Sequence, residues 1–295
     1  MRFVTFEKDR KVLVGLDIPS KGIIDLNKSN PDLPTSLNKI IQSNSQILES
    51  IKKINHERKI HYSYDKVKIL APIPTPVRDI ICVGKNYAEH AKEVQRSSYS
   101  TLQGKQAVPS KPIIFTKATT SVIGPDDKIV LKNDETNTTD YEGELGVIIG
   151  KTAKDVSEAN AFDIIFGYTI INDVTARELQ NIHKQWFIGK GPDTYCPMGP
   201  AVITKDEIEN LNEVQLKTFV NDEERQVGIV KDMVFTIPYL IETLTKSMTL
   251  VAGDIIATGT PAGVGIGFDP PKFLKSGDKV KITIDPIGTL ENTAI

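Results

Sequence analysis

The sequence predicts an α+β protein, mostly β, built on a rolled or sandwiched mixed sheet. Two observations predict this class. Short segments rich in Ile and Val recur along the chain, with glycines and Asp/Asn pairs between them, as expected of strands joined by turns. Helical periodicity is confined to a few segments, whereas a doubly wound fold would alternate strands with helices throughout. The clearest strand candidates are residues 79–83, 112–117, 128–131, 144–149, 166–171, 214–220, 254–258 and 279–284.

A proline-rich stretch at residues 71–76, Ala-Pro-Ile-Pro-Thr-Pro, divides the chain. Prolines at this density oppose helix formation and remove donors from a strand ladder. We therefore predict a small N-terminal α+β domain at residues 1–70 and a main domain at residues 71–295.

Each predicted domain contains few helices. In the small domain a helix is predicted over residues 37–54, where apolar side chains recur at helical spacing, with Thr35 or Ser36 as its N-cap. In the main domain, helices are predicted over residues 175–183 and from the N-cap Thr236 onward.

The composition excludes several classes of protein. The formal net charge is −2, from 36 basic and 38 acidic residues, and the basic residues are dispersed, so nucleic acid and anionic membranes are not expected partners. Cys82 and Cys196 are too few and too far apart for a disulfide framework or a zinc ribbon. The charged start differs from a signal peptide, and no apolar run approaches the ~20 residues of a membrane span. A cytoplasmic protein is expected.

Glu142, Glu144 and Asp173 are candidate metal ligands. The two glutamates are two residues apart at the start of a strand candidate, so both side chains leave the same face. An isolated pair of this kind usually lies on a solvated face, but this strand becomes wholly apolar after Glu144 and is expected to enter a core. Asp173 ends a second apolar run. Together the three carboxylates form an all-oxygen set that suits Mg²⁺ or Mn²⁺ better than zinc or copper.

Arg177 and Gln180 are candidates for substrate binding. They are three apart on a predicted helical turn, so they project together. Arginine can hold a carboxylate through two parallel hydrogen bonds. The alternative for Arg177 is an ion pair with Glu178 or another neighbour.

His90 and Glu93 are a candidate acid–base pair on a helix predicted after Gly84. Residues three apart on a helix can meet, and a carboxylate beside an imidazole orients the ring and raises its pKa. The alternative is an ordinary surface histidine. Residues 97–109, which follow, are polar and lack a core pattern, so they are predicted to form a mobile lid carrying this helix.

Two glycine-rich turns lie at residues 189–192 and 257–265. The second lacks the Gly-Lys-Ser/Thr end of a phosphate-binding loop and opens no clear helix, so nucleotide binding is not expected. A turn that brings backbone groups and the Thr260 hydroxyl close to a small anion fits the pattern better.

Five segments, in this order along the chain, are similar to motifs of the fumarylacetoacetate hydrolase family: residues 80–93, 140–151, 172–180, 189–200 and 254–265. The resemblance covers roughly residues 70–295. It is greatest to the bacterial two-part branch that carries a small N-terminal domain and includes oxaloacetate decarboxylases. It implies a mixed β-sandwich roll, a homodimer, and one Mg²⁺ or Mn²⁺.

The resemblance also implies roles for individual residues. The metal ligands would be Glu142, Glu144 and Asp173. The catalytic residues would be the pair His90 and Glu93 on the lid, with Lys190 as an added positive charge. The substrate contacts would be Arg177, Gln180, Lys190 and Thr260. One departure is Gly191, where many relatives have serine, which removes a hydroxyl beside Lys190.

The function implied by the resemblance is a metal-dependent reaction of a small 2-oxo acid in which an enolate forms. Oxaloacetate decarboxylation is the favoured reaction. Acylpyruvate hydrolysis is the second, since His90 with Glu93 could activate a water. Reprotonation of the same enolate gives the third, isomerisation of a hydroxydienedioate or tautomerisation of oxaloacetate. A metal-binding regulator or scaffold is the non-enzymatic alternative.

Overall fold

The computed structural model describes residues 1–97 and 108–295. Apart from its ends, the segment predicted as a mobile lid, residues 97–109, lies outside the described residues. The strands are β1 (Arg2–Lys8), β2 (Lys11–Ile18), β3 (Gly22–Asp25), β4 (Lys68–Ile69), β5 (Ile80–Gly84), β6 (Ile113–Lys117), β7 (Val122–Ile123), β8 (Lys128–Ile129), β9 (Thr139–Asp140), β10 (Gly143–Ile149), β11 (Ile165–Asn172), β12 (Thr175–Ala176), β13 (Cys196–Thr204), β14 (Gln215–Val220), β15 (Glu223–Ile229), β16 (Ile255–Ala257), β17 (Lys279–Ile284) and β18 (Gly288–Ala294). The helices are α1 (Leu26–Ser29), α2 (Leu37–Ile41), α3 (Ser45–Glu57), α4 (Ala88–Arg96), α5 (Arg177–Ile182), α6 (Phe187–Lys190) and α7 (Ile237–Ser247).

Two sheets dominate the described part of the chain. The larger, the central sheet, has the strand order β3-β2-β1-β13-β11-β10-β16-β5-β6, with β4 beside β1 and β7 beside β13. The smaller has the order β15-β14-β17-β18-β8. Most neighbours are antiparallel, but in this part of the chain three pairs are parallel: β16 with β5, β13 with β7, and β18 with β8. The prediction of a mostly-β protein with mixed sheets is confirmed.

The N-terminal strands extend the central sheet. β1 pairs antiparallel with β13 through Arg2 opposite Ile203 and Phe3 opposite Val202. The boundary predicted between residues 70 and 71 stays a prediction.

The helix predicted over residues 37–54 is two helices. Ser36, one of the two predicted N-caps, accepts from the Lys39 amide and starts α2, which ends at Ile41. The Asn44 side chain then accepts from the Ile47 amide and starts α3. The apolar spacing carries across the break, and the competing cap at Asn44 ends one helix and begins the next.

β13 is a central strand that the sequence analysis did not foresee. It contains Pro197 and Pro200, which remove two backbone donors and make the segment read as a loop. Its pairing with β11 has a register shift between Tyr168 and Ile170, which accommodates the irregularity.

The core is densest around β10 and β11. Every residue of both strands is buried. They pair antiparallel with Gly143 opposite Asn172, so the beginning of β10 and the end of β11 meet at one edge of the core. This register places polar residues at the two strand ends side by side. No helix among the described residues is long and apolar enough to cross a membrane.

Candidate active site

Three buried carboxylates meet where β10 begins and β11 ends. Glu142 and Glu144 flank Gly143, and Asp173 follows Asn172 directly, so the register of the two strands brings them together. One oxygen from each carboxylate lies within 4.8 Å of the others. The backbone reinforces the junction, since the Asp173 amide donates to the Glu142 carbonyl at 2.8 Å. The sequence-predicted set of candidate ligands is therefore one cluster.

The negative charge of one carboxylate in this cluster, Glu144, is poorly compensated by its surroundings. Burial and the negative charges of Asp173 and Glu142 raise the pKa of Glu144 well above its ordinary value. Burial also opposes ionisation of Glu142, but Lys190 and Arg177 outweigh it and hold its pKa well below the usual range. A divalent cation would supply the missing charge at Glu144, and hard oxygen donors are what Mg²⁺ and Mn²⁺ bind. The residues present fit such an ion.

Two buried lysines flank Asp173. Lys190 Nζ donates to Asp173 Oδ2 at 2.7 Å and to Glu142 Oε2 at 2.9 Å. Lys117 Nζ lies 2.8 Å from Asp173 Oδ1 and donates to the Val174 carbonyl at 3.0 Å and to the Lys190 carbonyl. Lys190 was predicted at the site, whereas Lys117 was not. A lysine that ends an apolar strand, as Lys117 ends β6, is the signal that could have found it.

Arg177 is buried, and its guanidinium contacts acidic residues. Nε donates to Asp140 Oδ2 at 2.9 Å, and Nη1 lies 2.5 Å from Glu142 Oε1. The ion-pair alternative thus describes this structure, with Asp140 and Glu142 as partners. The role of Arg177 in substrate binding stays a prediction. Asp140, which is fully buried, was missed by the sequence analysis.

His90 and Glu93 meet on α4 as predicted. His90 Nδ1 lies 3.3 Å from Glu93 Oε2, and the ring is buried. The Glu93 carboxylate also accepts from the Gly263 amide, at 3.0 and 3.2 Å. The glycine-rich turn at residues 257–265, which we call the glycine-rich loop, therefore holds the carboxylate that orients the imidazole.

One cavity collects these groups. It is lined by two of the candidate ligands, by the histidine and by all of the predicted substrate contacts: Glu142, Glu144, His90, Arg177, Gln180, Lys190 and Thr260. The Thr260 hydroxyl is already engaged, since it donates to the Gly143 carbonyl at 2.8 Å and accepts from Gln226 Nε2 at 2.7 Å. The cavity thus combines an acidic cluster that could hold a cation, a potential base and positive side chains.

A sequence model described as the C-terminal part of fumarylacetoacetate (FAA) hydrolase matches residues 79–295. The chain belongs to the fumarylacetoacetate hydrolase family. The family resemblance seen in the sequence is therefore confirmed.

Relatives within the family match the whole chain. Oxaloacetate tautomerase YisK of Bacillus subtilis is 48% identical, over 99% of this chain and 99% of the relative. A solved fumarylacetoacetate hydrolase from Exiguobacterium antarcticum is 38% identical, with a TM-score of 0.80 over 100% of this chain and 99% of the other. A maleylpyruvate hydrolase from Sphingobium, solved with manganese(II) and pyruvate, is 29% identical, with a TM-score of 0.78 over 100% and 99%.

These similarities also confirm the predicted fold, and they place the chain among relatives that are enzymes. The solved relatives share the fold over the full chain, and the relatives include enzymes that act on small acids. The manganese in one of them agrees with the buried acidic cluster seen here. The predicted homodimer stays a prediction.

Proposed function

We propose that this protein is a divalent-metal-dependent enzyme that interconverts the keto and enol forms of oxaloacetate. The observation that carries the proposal is the position of His90, which is oriented by Glu93 and lines the same cavity as Glu142 and Glu144. The whole-chain similarity to an oxaloacetate tautomerase supports the choice of substrate.

The carboxylates Glu142, Glu144 and Asp173 would hold Mg²⁺ or Mn²⁺, and the bound ion would act as a Lewis acid that polarises the 2-oxo group. Lys190 adds a second positive charge beside Glu142 and Asp173, where negative charge would develop on the substrate.

Proton transfer falls to His90. Its Nδ1 faces Glu93, so Nε2 is the nitrogen available to substrate. In the keto-to-enol direction, Nε2 removes a proton from C3, the electron pair forms the C2–C3 double bond, and the imidazolium gives that proton to the 2-oxo oxygen, directly or through a water. The reverse direction returns the proton to C3. The Glu93 carboxylate stabilises the imidazolium between these steps.

Decarboxylation of oxaloacetate is the second candidate. Loss of CO₂ from C3 leaves an enolate that the same positive groups would stabilise, and Lys190 is well placed for either reaction. This route needs a proton for the product but no base before the bond breaks.

The two activities separate in one assay. Purified protein is stripped of metal, reloaded with Mn²⁺ and given the enol form of oxaloacetate. Loss of enol absorbance above the spontaneous rate, without matching formation of pyruvate, supports tautomerisation. Pyruvate formed as fast as the enol disappears would support decarboxylation instead, and turnover confined to acetylpyruvate would support hydrolysis.

A variant controls for contaminating activity. Glu144→Ala removes one predicted ligand and should abolish both the activity and its response to Mn²⁺. Folding is checked by circular dichroism. Full activity in metal-stripped wild-type protein would contradict the proposed metal dependence.

A further inference from the structure

A buried lysine in the cavity has no role in the reaction described above. We propose that Lys85 binds the second carboxylate of the substrate and so selects 2-oxo dicarboxylic acids over 2-oxo monocarboxylic acids. The inference rests on the proposed function, because it assumes that the first carboxylate and the 2-oxo group are held at the acidic cluster.

The first support is the position and charge of Lys85. It is 5% exposed and lines the cavity together with Glu142, Glu144 and Lys190. Among the ion pairs and hydrogen bonds formed within residues 1–97 and 108–295, none involves the Lys85 side chain. Lysine side chains with so little exposure are usually paired, so one that lines a cavity without a partner among the described residues is suited to an anionic ligand.

The other lysine and arginine side chains that line the cavity already have acidic partners. Arg177 is engaged by Asp140 and Glu142, and Lys190 is engaged by Glu142 and Asp173. In the described part of the cavity lining, Lys85 is therefore the cationic side chain left for a substrate carboxylate away from the cluster.

The second support is the backbone conformation of Lys85. Its φ is +55°, in the left-handed region that side chains other than glycine rarely adopt. Twelve non-glycine residues in residues 1–97 and 108–295 have positive φ, and Lys85 is the one of them that is buried. Strained backbone of this kind persists where the surroundings impose it, and it clusters at functional sites.

The neighbouring Asn86 imposes that conformation. Its side-chain Nδ2 donates to the carbonyls of Phe235 and Thr258, at 3.0 and 2.7 Å, and its Oδ1 accepts from the Phe235 amide at 2.7 Å. The turn that carries Lys85 is thereby tied to two separate segments. A side chain fixed at its base loses less entropy on binding an anion.

Burial lowers the pKa of Lys85. A bound carboxylate would supply the missing partner and favour the charged ammonium. The lowered pKa therefore agrees with the position of Lys85 in the cavity lining, where its side chain has no ionic partner among the described residues.

Binding of two unreactive analogues tests the inference without turnover. Malate and lactate of the same configuration share a carboxylate and a 2-hydroxyl, and malate adds the second carboxylate. Isothermal titration of the protein, with and without Mn²⁺, should give malate binding tighter than lactate binding. Lys85→Met should weaken malate binding roughly 10–100-fold, the range expected for one charged hydrogen-bonded contact, and change lactate binding less than about 3-fold.

Two further variants sharpen the test. Lys85→Arg keeps the charge and should retain most of the preference for malate. Lys92→Met removes an exposed lysine of α4, the helix that follows the turn carrying Lys85; it pairs with Glu89 at 2.7 Å, and its loss should change neither affinity. Equal losses for both ligands in Lys85→Met, or no loss for either, would overturn the inference.

The outcome also distinguishes this inference from the proposed function. If the malate preference disappears in Lys85→Met but the protein has no tautomerase activity, the assignment of Lys85 would stand and the proposed reaction would be wrong. If the protein has tautomerase activity but its Lys85→Met variant keeps the malate preference, the proposed reaction would stand and the assignment of Lys85 would be wrong.

Discussion

Asp140 binds the guanidinium of Arg177 and, through its other hydrogen bonds, ties it to the glycine-rich loop. Arg177 Nε donates to Asp140 Oδ2 at 2.9 Å, while Asp140 also accepts from the amides of Gly265 at 2.6 Å and Ile266 at 3.1 Å. Arg177 in turn contacts Glu142. A continuous path of hydrogen bonds and ion pairs therefore joins the loop to the carboxylate cluster, which makes Asp140 a positioning residue.

Asp140→Asn should weaken metal binding without removing a ligand. The change takes away the charge that fixes Arg177, so Glu142 loses its orientation. Groups that orient ligands typically contribute a factor of about 10–100 in metal affinity. Titration with Mn²⁺, followed by electron paramagnetic resonance, would measure the loss.

Asp254→Asn is the matched control for Asp140→Asn. Asp254 is also buried and paired with an arginine, with Arg78 Nε donating to its Oδ1 at 2.7 Å, but it contacts none of the candidate ligands. It should lower stability and leave Mn²⁺ affinity unchanged. Equal losses of affinity in the two variants would refute a specific role for Asp140.

The sequence could predict the three carboxylates of the cluster but not the side chains that hold them in place. Glu142, Glu144 and Asp173 sit at strand ends, and strand periodicity with the apolar runs beside them is a local signal. Lys117 contacts Asp173, which lies 56 positions further along the chain, and Asp140 contacts Arg177, which lies 37 positions further. Only the register of the folded sheets reveals such pairs.

The same reasoning explains the errors in secondary structure. Helical spacing across residues 37–54 hid the break at Asn44, because periodicity does not register a second cap. β13 was not predicted because its prolines remove backbone donors and so disfavour a strand. Its pairing with β11 and β1, which are distant in sequence, offsets that loss.

Glu144→Gln should change how the stability of metal-free protein depends on pH. The raised pKa of Glu144 means that the folded state holds a proton which the unfolded state releases above about pH 4.3. The free energy of unfolding of the wild type should therefore fall as pH rises from 5 towards 8, and the neutral glutamine should remove that part of the fall. Urea unfolding in EDTA at several pH values measures the difference between variant and wild type.

Glu142→Gln is the opposite case. The lowered pKa keeps Glu142 charged in both states above about pH 5, so its contribution is lost only when pH falls further. The variant should be less stable by roughly 1–3 kcal/mol at pH 5, because Lys190 and Arg177 lose a partner. The same pH dependence in both variants would contradict the assignment of the shifts.

Gly267→Ala should lower activity through Glu93. A Cβ at Gly267 would collide with the Glu93 carboxylate, which can move because it is the far end of a flexible side chain. Its contacts with His90 and Gly263 would then be lost. We expect kcat to fall roughly 10–100-fold, less than loss of the base itself would cost, with Mn²⁺ affinity unchanged.

A double-mutant cycle tests that route for Gly267→Ala. If the alanine acts only by displacing Glu93, the double variant with Glu93→Gln should be no slower than Glu93→Gln alone. Additive losses would mean that Gly267→Ala disturbs the site in another way.

His90→Ala should separate the two candidate reactions of oxaloacetate. Tautomerisation requires a base to remove the C3 proton, so it should slow by roughly 10²–10⁴-fold, whereas decarboxylation breaks its bond without a base and should slow less. Both are measured on one sample, as enol absorbance and as pyruvate formed, with Mn²⁺ saturating. His183→Ala is the control, since His183 is an exposed histidine just after α5 and should affect neither rate. Equal losses in both reactions for His90→Ala would place the histidine before the two routes diverge, at binding or at a shared proton transfer, and would contradict the role assigned to it here.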